Sequence, residues 1–168
     1  MTVVVLRDGG RIAIAPLHAA DGPAYAIDML GGLSDESIRR RFLRAVPLPP
    51  ARYVRELSGP DRPGYRILAA IDLDAREERF VGSARLVSYP GEPDVAEVAF
   101  GVIDSHQGRG IARALLTAMM AVATADGITV VRAITFASNA PALHLLRSLG
   151  DASVTRSGAE AEVEIPLR

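Results

Sequence analysis

Between residues 110 and 125 the apolar side chains Ile111, Leu115, Met119 and Val122 recur at helical spacing, and Ala112, Leu116 and Ala123 broaden the stripe. A β-type run over 95–103 precedes this helix and another over 128–136 follows it. Strand, helix and strand in that order predict a right-handed parallel crossover, which needs a sheet beneath it. The segments 66–73, 80–88 and 95–103 supply one, as an antiparallel meander whose connections are 74–79 and 89–94. Short strands over 3–6 and 12–15 flank the turn Asp8-Gly9-Gly10, and two more over 152–155 and 161–167 close the chain. Helices are predicted over 24–30, from the N-cap Ser34 past Phe42 to Arg44, and over 140–149, where Gly150 stops the last one. Proline density marks 47–64 as a connector with at most a short helix at 51–57. The expected class is a mixed α/β (α+β) sheet with helices.

Composition narrows the chemistry. At 168 residues the chain fits one domain on the usual scale of roughly 100–200 residues. Nineteen basic against twenty acidic residues leave a net charge of −1, so no basic field is available for nucleic acid or an anionic membrane. All the basic residues are Arg, which excludes lysine Schiff-base chemistry. With no Cys, thiolate nucleophiles, disulfides and Cys-rich metal sites are excluded as well. His18, His106 and His144 lack metal-ligand spacing, so no metal is expected. The start of the chain has no signal-peptide pattern, and the apolar run 114–125 is shorter than the roughly 20 residues of a membrane span. A cytoplasmic location is the expectation.

The informative stretch is Val95-Ala-Glu-Val-Ala-Phe-Gly-Val-Ile-Asp-Ser-His-Gln-Gly-Arg-Gly-Ile-Ala-Arg113. A glycine-bearing loop ahead of a helix exposes unpaired N–H groups at the positive end of the helix dipole, where an anion is stabilised. Arg109 and Arg113 stand at that end with no acid in the first turn. On dipole grounds each is misplaced by about 0.3–1 kcal/mol, a cost that a bound anion reverses. A P-loop needs a lysine, which this chain lacks. A dinucleotide fingerprint fails because its third small residue falls at Arg113 and no acid ends the run 128–136. A plain tight turn into a buried helix stays open on these residues alone.

Gln107-Gly-Arg-Gly-Ile-Ala112 resembles the Gln/Arg-x-x-Gly-x-Gly/Ala signature of the GNAT superfamily of acetyl-CoA-dependent N-acetyltransferases. The segment Asn139-Ala-Pro-Ala-Leu-His-Leu-Leu-Arg-Ser-Leu-Gly150 is similar to the family's later Asn-x-x-Ala…Leu-x-x-x-x-Gly stretch. Leu33-Ser-Asp-Glu-Ser-Ile-Arg-Arg-Arg-Phe42 and Ala96-Glu-Val-Ala-Phe100 look like the catalytic domain of bacterial Pat-type protein lysine acetyltransferases. The resemblance implies a single GNAT domain over 1–168, with central antiparallel strands and a parallel pair, 95–103 and 128–136, that splays apart. It implies that backbone groups at Gly101, Val102 and Ile103 bond the pantetheine arm of acetyl-CoA as a pseudo-strand. It assigns the pyrophosphate to Gln107, Gly108, Arg109, Gly110, Ile111, Ala112 and Arg113, and a further cofactor contact to Asn139, which also suits an N-cap.

Glu97 is the candidate proton acceptor. Alternation puts it on one strand face with Val95, Ala99, Gly101 and Ile103, where burial is expected to raise its pKa towards the working range of a base. A strand glutamate paired with Arg85 is the plain alternative. Without Cys, direct attack of an amine on the thioester in a ternary complex is preferred over an acyl-enzyme. The family's usual tyrosine position holds Leu146, and His144 is placed on the opposite helix face by the turn of about 200° over two residues. The run Arg39–Arg41 with Arg44 suits a helix C-terminus or contact with an acidic acceptor, His106 suits the surface or the edge of the cofactor loop, and the turn Asp72 to Arg79 suits a solvated hairpin end. Three readings follow: a protein lysine acetyltransferase, a small-molecule amine acetyltransferase, and a non-catalytic acyl-CoA sensor. The acceptor, the acyl length and the choice between monomer and homodimer stay open.

Overall fold

The computed structural model describes residues 1–43 and 64–168. The connector expected at 47–64, the short helix allowed for at 51–57 and Arg44 lie outside these residues, except for Gly64. Eight strands form one sheet: β1 (Thr2–Val5), β2 (Arg11–Pro16), β3 (Tyr65–Asp72), β4 (Arg79–Tyr89), β5 (Glu92–Val102), β6 (Val130–Phe136), β7 (Ser153–Ser157) and β8 (Glu160–Pro166). Their spatial order is β1-β2-β3-β4-β5-β6-β8-β7, and β5 with β6 is the parallel pair. The mixed α/β class, the meander and the crossover all appear as the residue periods predict.

Helices cover both faces. The long helix, here α3 (Ile111–Ala125), buries Ile111, Leu115, Leu116, Met119 and Ala123 against the sheet. Directly opposed residues share a face, so its side of β4 and β5 carries Leu86 with Val98 and Ala84 with Phe100. On the other side lie α1 (Gly22–Gly32) and α2 (Asp35–Phe42). Tyr25 of α1 reaches the sheet, its hydroxyl 2.6 Å from Ser83 Oγ. Its ring meets Phe80 edge-on at 5.7 Å and 89°, a geometry worth about 0.5–1.5 kcal/mol beyond area burial. Gly32 packs so closely on Ile103 that a Cβ there would stand 2.5 Å from Ile103 Cγ2. The last helix, α4 (Ala140–Arg147), buries Leu143 and Leu146 over β6 and β8.

One strand boundary departs from expectation. The connection read as 89–94 is a two-residue turn at Pro90 and Gly91, because β4 runs to Tyr89 and β5 begins at Glu92. Pro93 reads as a breaker, yet a proline is tolerated near a strand end, here beside a register shift between Ser88 and Tyr89.

Candidate active site

The parallel pair is zipped for three rungs only: Val95 with Val130, Ala96 with Val131 and Glu97 with Arg132. Beyond Glu97 the strands part, β5 staying with β4 as far as Val102 and β6 with β8 as far as Phe136. A cavity of about 470 Å³ fills the fork. Its walls include Val98 to Val102 of β5, Ala133 to Thr135 of β6, the start of α3 and one side of α4.

Hydrogen-bond directions show what β5 offers to this gap. Asp94 C=O accepts from Thr129 N–H at 2.9 Å and so points towards β6, whereas Ile103 N–H donates to Val81 C=O on the β4 side at 3.0 Å. Alternation along the strand therefore turns the peptide groups of Val98 and Phe100, and the N–H of Val102, into the gap. Val102 C=O also faces it but accepts from Gln107 Nε2 at 3.0 Å. This corrects the assignment of backbone contacts to Gly101 and Ile103. Gly101 directs its peptide groups at β4, Ile103 donates its N–H there while its C=O accepts from His106 N–H at 2.9 Å, and the Ile103 side chain is buried beneath Gly32. The Gly101 Cα still lines the cavity, with the Arg41 stem lying over it.

The loop before α3 has the geometry of an anion cradle. Gly108 and Gly110 adopt φ of +76° and +96°, a region that L side chains enter only at a cost, and no side chain caps the helix start. The first N–H groups of α3 are thus left facing outward. Gln107, Gly108, Gly110, Ile111, Ala112 and Arg113 line the cavity, with Arg113 Nη2 donating to Ser148 Oγ at 2.6 Å. Arg109 does not line it. Its Nε donates to Asp8 Oδ2 at 2.5 Å on the β1–β2 turn, so it does not face the cavity as the sequence implied. Asn139 both lines the cavity and caps α4, its Oδ1 accepting from Ala142 N–H at 3.4 Å while Nδ2 donates to Thr135 Oγ1 at 3.2 Å.

The family model for the acetyltransferase (GNAT) family matches residues 36–151. The chain belongs to that family. The GNAT fold is shared with the GNAT domain of S. lividans PAT. The two are 30% identical with a TM-score of 0.85, over 99% of this chain and 96% of that one. The cAMP-binding acyltransferase from Mycobacterium smegmatis is 26% identical with a TM-score of 0.65, and this chain matches 47% of its length. A putative acetyltransferase from Salmonella typhimurium, solved with its cofactor acetyl-CoA, shares the fold at 20% identity and a TM-score of 0.72, over 94% of each chain. The chain is thus a GNAT-family acetyltransferase. No group of His, Asp and Glu able to hold a metal ion is present among the described residues, and no described helix is long and apolar enough to cross a membrane.

Glu97 occupies the last rung of the zipped section, just outside the cavity, and it is half-buried rather than enclosed in an apolar row. That is a second correction: Val95 and Ala99 flank it along β5, but Arg132 lies beside it on β6 and Tyr89 approaches from β4. Burial, and next the Glu97 carboxylate, push the Tyr89 hydroxyl above its ordinary pKa. Arg85 stands opposite Ala99, one alternation away from Glu97, with its guanidinium 5.9 Å from the Tyr65 ring centre.

Several residues here carried no decisive sequence signal. His106 is in the cavity wall rather than on the open surface, its Nε2 3.1 Å from Asp72 Oδ2 and Nδ1 2.9 Å from Ser105 Oγ. The turn after β3 is likewise paired, Asp74 with Arg11 at 2.8 Å. Arg40 and Arg41 of α2 line the cavity, while Arg39 lies 4.6 Å from the Phe136 ring centre. His144 and Leu146 both border it, His144 exposed and Leu146 buried.

Proposed function

We propose that this GNAT enzyme transfers the acetyl group of acetyl-CoA to the side-chain amine of a protein lysine, with Glu97 as the base. The observation that carries the reading is the fork itself: the ladder stops at Glu97, so a thioester lying along the open part of β5 ends next to that carboxylate. The pantetheine amides pair with the peptide groups of Val98, Phe100 and Val102, and the diphosphate rests on Gly108, Gly110 and the first turn of α3. Gly101, Ala112, Arg113 and Asn139 shape the walls around it.

The acceptor amine approaches from the α1 and α2 side. Its nitrogen adds to the thioester carbonyl carbon, Glu97 takes a proton from it, the C–S bond breaks, and the thiolate departs with a proton from solvent. The usual tyrosine position holds Leu146, which carries no proton. Holding both reactants in one complex supplies much of the acceleration.

A cationic acceptor is favoured by the open face beyond Glu97. Glu160, Glu162 and Glu164 of β8 stand opposite Phe136, Ile134 and Arg132 and share their face, and α4 covers the other side. Arg39 of α2 lies over the Phe136 end of this face, whereas Arg132 at the other end is 3.1 Å from Glu164, 3.5 Å from Glu92 and 3.7 Å from Glu162, so the carboxylates outnumber the cation there. Likeness to the Pat GNAT domain adds to this reading. The test is thiol release from acetyl-CoA on a panel of lysine peptides, intact proteins, polyamines and amino acids. Turnover is expected on lysine substrates and to be lost when their neighbouring cationic residues are made acidic; turnover on small amines alone would replace the protein acceptor with a small-molecule one.

A further inference from the structure

The cavity wall contains a cation that belongs to neither the glycine loop nor α3. Arg7 sits on the turn between β1 and β2 and lines the cavity together with Gly108 and Gly110, although 101 residues separate it from the first of these. Among the described residues Arg7 makes no hydrogen bond or ion pair. Its chain neighbour Asp8 is fully engaged: Oδ1 accepts from Gly10 N–H at 3.1 Å and Oδ2 from Arg109 Nε at 2.5 Å.

Arg109, the loop cation facing a phosphate by position, is committed elsewhere. Its guanidinium lies across Gly10, where an added Cβ would collide with it, and Asp72 and Asp74 add to the field of Asp8 around it. To enter the cavity Arg109 would have to leave these carboxylates, whereas Arg7 has no partner to give up. The turn is further held by Leu6 N–H on Gly10 C=O at 2.7 Å and by Arg11 on Asp74. Fastening Asp8 to Arg109 holds the turn that presents Arg7 at the cavity wall.

We propose that Arg7 is the guanidinium that receives the diphosphate of the acyl-CoA, and that Arg109 is a positioning residue that holds the β1–β2 turn in place through Asp8. A guanidinium fork matches phosphate oxygens two at a time, which suits this task better than a point charge. The inference rests on the co-substrate reading of the cavity, and the experiment separates the two.

Calorimetry on the full chain with CoA and with dephospho-CoA, which keeps the diphosphate and lacks the 3′-phosphate, provides the test. If the unmodified protein binds neither, the cavity reading itself fails, and Arg7 with it. If it binds, Arg7→Gln is expected to raise Kd at least tenfold for both ligands with an unchanged melting temperature, and Arg7→Lys to recover part of the loss. Arg109→Gln and Asp8→Asn are expected to weaken binding less than Arg7→Gln does, to equal extents, and no further when combined. An Arg7→Gln protein with unaltered Kd, a loss confined to CoA, or a larger loss from Arg109→Gln would each overturn the assignment.

Discussion

Glu97 stands beside Arg132 on the last rung at which β5 and β6 are still paired. The carboxylate is thereby held at the apex of the fork, while the neighbouring guanidinium is shared among Glu92, Glu162 and Glu164. A carboxylate fixed by the regular part of a sheet needs no loop to position it.

Replacing Glu97 with Gln keeps the shape and removes the proposed proton acceptor. The turnover number on the best acceptor is expected to fall about 10²- to 10³-fold, within the usual range for a general base, while KM for acetyl-CoA stays within about twofold. Steady-state kinetics with both substrates varied decides it. Unchanged turnover would take Glu97 out of the chemistry.

Gly32 is where α1 meets Ile103, the residue that follows the open section of β5. Adding a methyl at Gly32 forces Ile103 to move, since the new Cβ would lie inside its van der Waals surface. Gly32→Ala should cost about 1–3 kcal/mol of stability, the usual range for overpacking, and should cost less in an Ile103→Ala background, which lacks the clashing Cγ2. Denaturant unfolding of the two single variants and the double variant measures the coupling, and strictly additive effects would refute the contact.

Asn139 caps α4 and satisfies the buried hydroxyl of Thr135. Asn139→Ala is expected to lower stability by about 1 kcal/mol as a lost cap. Asn139→Ser, which can still cap, should retain most of it. A melting temperature that drops equally in both variants would assign the loss to something other than capping.

Acid should loosen α2 in a defined window. The hydrogen bond from Arg39, followed by that from Arg40, holds the Glu36 carboxyl down at about 2, below its ordinary value of 4.5. A depressed native pKa means that the contribution is present above the unfolded value and is lost as pH falls through the folded one. The stability of the parent protein should therefore decline more steeply between pH 4.5 and 2 than that of Glu36→Gln. Parallel melting curves across that window, with identical slopes, would contradict it.

Local chemistry was legible in the sequence to the extent that it is local. The two positive-φ glycines, the apolar stripe of α3, the Ser34 cap and the period-two row holding Glu97 each depend on residues a few positions apart. The end of the β5–β6 ladder has no such code; the family resemblance supplied it, and only hydrogen-bond directions show that Val98 and Phe100, rather than Gly101 and Ile103, face the gap. Arg109 was placed correctly in its loop, yet its partner is 101 residues away, beyond the reach of spacing arguments. Arg7 escaped notice for the same reason, since nothing around it in the chain marks a cavity.

The fork between β5 and β6 presents amide and carbonyl groups of the main chain, which every residue type except proline carries in full. Side chains along its edges can therefore be exchanged without erasing the pattern that a peptide-like ligand reads. A protein built this way is free to acquire new acceptors while its hold on the acyl donor stays the same.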